Sequence, residues 1–111
     1  MKITSLNDLE FHPVSHNPKI RKKTILQKGD VPNLVYFSQA VFPPGEIAAA
    51  HFHPDLHEIF FIESGQGSIT INGKNYPLLP GNCLTVNPGE VHELVNTGDV
   101  DLIITYFSIQ V

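Results

Sequence analysis

The chain has little cysteine, little positive charge, few helix-forming stretches and no long apolar run, and each shortage excludes something. Its one cysteine among 111 residues, Cys83, rules out an internal disulfide. The fold must therefore rest on a hydrophobic core, and a reducing, cytoplasmic setting is expected. Seven Lys and Arg against eleven Asp and Glu leave a formal net charge of −4. Nucleic acid and anionic membrane surfaces want clustered basic side chains, and the only basic run, Arg21-Lys22-Lys23, reads as a solvated face. Neither is expected as a partner. No apolar stretch approaches the ~20 residues that span a bilayer. Met1 to Glu10 also lacks the apolar segment of a secretory leader.

The apolar fraction, 41%, and the charged fraction, 16%, suit one globular domain. Helix is expected only at the start, where Ser5-Leu6-Asn7-Asp8 has the form of a capping box and a single turn could run through Glu10 before Pro13 and Pro18 block it. Residues 1–21 read as an N-terminal extension and 22–111 as the folded domain. His12 and His16 lie in this proline-interrupted stretch and read as surface loop.

From Lys22 onward the punctuation is that of an all-β protein. Short strands are expected at Thr24–Leu26, Leu34–Phe42, Ala48–His53, Glu58–Ile62, Gly67–Ile71, Lys74–Leu79, Cys83–Val86, Val91–Asn96 and Leu102–Ile109. Asn72-Gly73 is a two-residue hairpin signal. So many short strands without helices leave a sandwich or a small barrel.

His51 and His53 are one residue apart on a predicted strand. Side chains alternate across a strand, so the two imidazoles share a face, about 7 Å apart along it. Glu58 opens the next strand, and the connection between is short enough to bring it back beside them. Two imidazoles and a carboxylate suit a divalent transition metal. His57 neighbours Glu58 and should face away, unless a bulge exchanges the two. Phe60 and Ile62 share the face of Glu58 and should form an apolar wall near it. Tyr36, Phe42, Tyr106 and Phe107 read as core, and Cys83 as a small buried hydrophobe. Glu46, Asp55, Glu63 and Glu93 have no spacing that singles out a general base.

The spacing extends beyond these three ligands. Gly45, five residues, His51-Phe52-His53, four residues, Glu58, six residues and Gly65 resemble the first motif of the cupin superfamily. Gly81, five residues, Asn87-Pro88-Gly89, two residues, His92, three residues and Asn96 resemble the second. One position departs, since the family pattern has proline where Asn87 stands and here the proline follows at Pro88. The resemblance implies a small antiparallel β-barrel or jelly roll. Inside it one divalent ion (Mn, Fe, Ni or Zn) would be held by His51, His53, Glu58 and His92, with open positions for a ligand. It further implies a small-molecule ligand or substrate and, commonly, a homodimer. Function stays open among three classes: a metal-dependent enzyme of dioxygenase or isomerase type, a non-catalytic binding or sensing module, and a structural or storage barrel.

Overall fold

Turn chemistry cuts the chain into strands where glycine, asparagine and proline cluster. The computed structural model describes residues 1–111. Its strands are β1 (His12–Val14), β2 (Asn17–Gln27), β3 (Leu34–Phe42), β4 (Ile47–His51), β5 (Leu56–Ser64), β6 (Gly67–Ile71), β7 (Lys74–Leu78), β8 (Cys83–Val86), β9 (His92–Asn96) and β10 (Leu102–Gln110). At Asn72-Gly73 both residues take positive φ, 48° and 84°, the backbone that a two-residue hairpin demands. β6 and β7 pair directly across it, Ile71 opposite Lys74.

The strands form two antiparallel sheets, one in the order β1-β2-β3-β10-β5-β8 and the other in the order β4-β9-β6-β7. Alternation sends one set of side chains from each sheet inward. Ala40 and Phe42 of β3 meet Phe60 and Ile62 of β5, Leu94 of β9, and Leu102 and Ile104 of β10 in one buried cluster. This is the expected all-β jelly roll.

The start of the chain differs in detail from its sequence reading. The helical turn is a short 3-10 helix, Leu6–Asp8, and the Ser5 side chain makes no capping bond. A backbone bond from Asp8 N–H to the Ser5 carbonyl, 3.0 Å, closes the turn instead. β2 begins at Asn17, well before the strand expected at Thr24–Leu26, because Ile20 is fully buried in the core and draws its strand in. His12 lies on β1, exposed, and His16 in the following turn with φ 66°. Cys83 is exposed rather than buried. It pairs with Phe61, an outward-facing residue, and parity puts both outside.

Asn96 pins one corner of the barrel. It is buried, its amide donates to the carbonyls of Phe42 and Val100, both at 2.8 Å, and its side-chain oxygen accepts from Gly98 N–H at 2.9 Å. The last residue of the second motif is thus structural, tying the end of β9 to the end of β3.

Candidate metal centre

A bulge aims the first histidine. β4 pairs with β9 through Ala48 opposite Leu94 and His51 opposite His92, so the register slips between Ala48 and His51. Three steps on β4 match two on β9, which reverses the parity of the strand end. Ala48 and His51 then both face the interior that Leu94 and His92 share. β4 stops at His51, so His53 lies just beyond the strand and not on it. A bond from Gly89 N–H to the His53 carbonyl, 2.8 Å, anchors that segment to the turn before β9.

That turn contains the departure from the family pattern. Asn87 N–H donates to the Glu90 carboxylate at 2.6 Å, a bond that proline could not make. Glu90 N–H closes the turn on the Asn87 carbonyl at 3.1 Å. The altered turn still delivers His92 inward, opposite both His51 and Ile71.

The structure brings all four expected ligands together. One donor atom from each of His51, His53, Glu58 and His92 lies within 4.8 Å of every other. Glu58 Oε1 stands 3.0 Å from His92 Nε2 and 3.2 Å from His53 Nε2. The side chains of His92 and Glu58 are only 1% and 5% exposed, against 34% for His53, and His51 is exposed. The group is therefore closed behind and open on the His51–His53 side. Its ring orientations are set from outside: His92 Nδ1 lies 3.0 Å from the Glu90 carbonyl and His51 Nδ1 2.8 Å from the Ala49 carbonyl. A carbonyl only accepts, so each Nδ1 carries a proton, and in the neutral imidazole each Nε2 is left with its lone pair facing inward.

The fit to a metal is read from atoms without partners. Glu58 Oε1 and His92 Nε2 are buried and make no well-formed hydrogen bond, although they face each other. Unsatisfied buried polar atoms are rare and call for a reason. A cation among these four donors would satisfy both, and nitrogen with carboxylate oxygen is a donor set that suits divalent transition metals.

Electrostatics favour the ionised carboxylate. Burial alone would raise the Glu58 pKa, but contact with His92, the Tyr36 hydrogen bond and the neighbouring His53 outweigh it and hold it below the usual carboxylate range. For His92, burial disfavours the charged form, yet Glu58 and the Glu90 carbonyl together raise its pKa above the ordinary histidine value. Burial and the Glu58 charge push the Tyr106 phenol up to about 12 and the Tyr36 phenol higher still. Both phenols stay protonated at neutral pH, and the Tyr36 proton is given to Glu58 Oε2.

β5 runs in regular register past His57 and Glu58 against β10, and from Glu58 onward against β8, so no bulge exchanges them. His57 faces away, its Nδ1 3.3 Å from the Asn87 side-chain oxygen. Tyr36, read from the sequence as core, is instead bonded through its hydroxyl to Glu58 Oε2. No spacing along the chain announces that contact, because it is made across strands. Phe60 lines the interior as expected, its ring centroid 6.1 Å from that of His92.

Comparison with known proteins agrees with this geometry. The cupin domain family matches residues 38–108. An oxalate-binding protein of Thermotoga maritima is 36% identical over 66 residues, 60% of this chain and 54% of that protein. The chain thus matches about half the length of this curated relative. The crystal structure of a predicted oxalate decarboxylase from Thermotoga maritima superposes with a TM-score of 0.93 at 24% identity, covering 99% of this chain and 100% of that one. A sugar phosphate isomerase of the cupin superfamily from Silicibacter pomeroyi has a TM-score of 0.84 at 16% identity, with 99% and 76% covered. Those two structural likenesses speak for the fold alone. With the family match running from β3 to β10 and enclosing every donor of the cluster, the chain belongs to the cupin family.

Proposed function

We propose that His51, His53, Glu58 and His92 hold one divalent transition metal ion, and that this centre binds a small organic acid of the oxalate class through its oxygens. The observation carrying the reading is the convergence of four donors, two of them buried and unpartnered, around a point open on one side. The name of the curated relative, an oxalate-binding protein, supports the ligand class. When bound, such an ion supplies Lewis acidity and open coordination positions.

The residues of the chain do the rest. Glu58 contributes the negative charge that offsets part of the ion's. His92 and Glu58 form the dry floor, while Phe60, 6% exposed, excludes water beside them. The phenols of Tyr36 and Tyr106 stay protonated and do not serve as bases. Turnover of dioxygenase or isomerase type is the second reading, favoured by the exposed His51 side, where a second reactant could approach.

Metal analysis of protein purified without added metal, followed by oxalate titration of the metal-loaded and metal-stripped forms, tests this. Oxalate should raise the melting temperature of the loaded form only. Protein that takes up none of Mn, Fe, Ni or Zn would sink the reading. Oxygen consumption or loss of the added acid would shift it from binding to turnover.

A homodimer and a cytoplasmic location belong to the same proposal. No helix is long and apolar enough to cross a membrane. The outer face of β3, β10 and β5 carries Phe37 and Phe107, edge to face at 6.2 Å, with Phe61 and Ile109 exposed nearby. Apolar surface of this kind is typical of subunit contacts. Sedimentation at micromolar concentration should give twice the chain mass, and Phe61→Glu should return it to the monomer.

A further inference from the structure

Tyr36 reaches Glu58 across an intervening strand. β3, β10 and β5 lie side by side, and the register sets Tyr36 opposite Ser108 and Ser108 opposite Glu58. The three residues form one interior row. Neighbouring strands are about 4.8 Å apart, so the outer members of such a row are separated by about 10 Å of backbone. A tyrosine can cross that span only over a short middle side chain. Ser108 is that side chain, fully buried, its hydroxyl without a hydrogen-bond partner. In the next row the large residue sits in the middle: Ser38, Tyr106 and Phe60. There Tyr106 stacks on Phe60 at 5.7 Å and braces the Tyr36 ring edge-on at 5.6 Å.

The consequence falls on Glu58. Its two oxygens have different partners: Oε2 accepts from the Tyr36 hydroxyl, while Oε1 faces His53 and His92. A carboxylate tied in this way has one oxygen to offer an ion. We propose that Tyr36 is a positioning residue that holds Glu58 as a one-oxygen ligand, with Ser108 as the spacer that permits the reach. The inference rests on the metal reading above and deepens it. An ion that takes six ligands would, with three imidazoles and one carboxylate oxygen, keep two positions free, enough for an acid that binds through two oxygens. A Glu58 turned to offer both oxygens would leave one. Tyr36 thereby selects chelating acids such as oxalate over acids with a single carboxylate.

The test uses cobalt(II) as a spectroscopic probe in the unaltered protein and in Tyr36→Phe, Tyr106→Phe and Ser108→Val. In Tyr36→Phe, cobalt affinity should fall roughly 10-fold or more, the usual scale for losing a hydrogen-bond partner of a metal ligand. Its visible spectrum should change, and the preference for oxalate over acetate should shrink. Tyr106→Phe, which removes a hydroxyl not bonded to Glu58, should match the unaltered protein. Ser108→Val blocks the reach while keeping Tyr36, so it should reproduce the Tyr36→Phe spectrum, and it decides the matter if Tyr36→Phe does not fold. Unaltered affinity, spectrum and preference in Tyr36→Phe would overturn this inference and leave the metal reading standing. Unaltered protein that binds no cobalt, manganese, iron, nickel or zinc would overturn both.

Discussion

His92→Ala should abolish metal uptake. The residue contributes one of two fully enclosed donors, and its Nε2 faces Glu58 Oε1 at 3.0 Å. Its loss removes a ligand and also leaves the Glu58 carboxylate buried beside a void. The cost must exceed the ~10–100-fold that follows loss of a mere outer hydrogen bond. His53→Ala should do nearly as much. His51→Ala should bind more weakly but measurably if water from the exposed side can take its place. His57→Ala, which removes only an outward contact to Asn87, should titrate like the unaltered protein. Calorimetric titration with Zn or Mn ranks the four. Uptake by His92→Ala equal to that of His57→Ala would remove the centre from this site.

The same titration should depend on pH with a definite sign. The ion needs neutral imidazole, and His92 keeps its proton to a higher pH than an ordinary histidine does. Below that raised pKa a proton must leave for each ion bound, so affinity falls about tenfold per pH unit as pH drops. Glu58, held below the usual carboxylate range, stays ionised across the same window and adds no proton of its own.

Gly65→Ala is expected to be strongly destabilising for a single added methyl. Gly65 has φ 81°, and a Cβ there would collide with the Asp101 carbonyl and lie 2.8 Å from Leu102 Cα. Both obstacles are backbone of the segment entering β10, the strand paired with both β3 and β5. Left-handed backbone costs an alanine roughly 1–2 kcal/mol, and forcing atoms into packed structure adds roughly 1–3 kcal/mol. A melting temperature lower by about 10 °C or more should result, at ~4–8 °C per kcal/mol for a domain near this size. Gly45→Ala is the control, since Gly45 has a similar φ, 80°, and open space around the added atom. It should lose only the backbone part. Equal losses in the two would mean that conformation and not the close approach is what matters at Gly65.

That comparison shows where sequence reading stops. The two glycines open and close the first motif, and both take positive φ, which spacing and turn chemistry could indicate. Only the approach of Asp101, 36 positions further along the chain, separates them. Cys83 makes the same point from the other side, since its composition suggested burial and its pairing with Phe61 placed it outside.

The sequence by itself determined the all-β class, the Asn72-Gly73 hairpin, the family and the four residues that the fold brings together, because each is written in local periodicity or in fixed spacing. Tertiary structure alone decided how those four are aimed and what stands behind them. The inward turn of His51 comes from a bulge that exists only relative to β9. Regular pairing of β5 with β10 through both residues puts Glu58 and not His57 inward. Tyr36 reaches Glu58 because Ser108, 72 positions away in the chain, lies between them in the sheet. Register between strands is a property of the pair and not of either segment, so no reading of one segment can contain it.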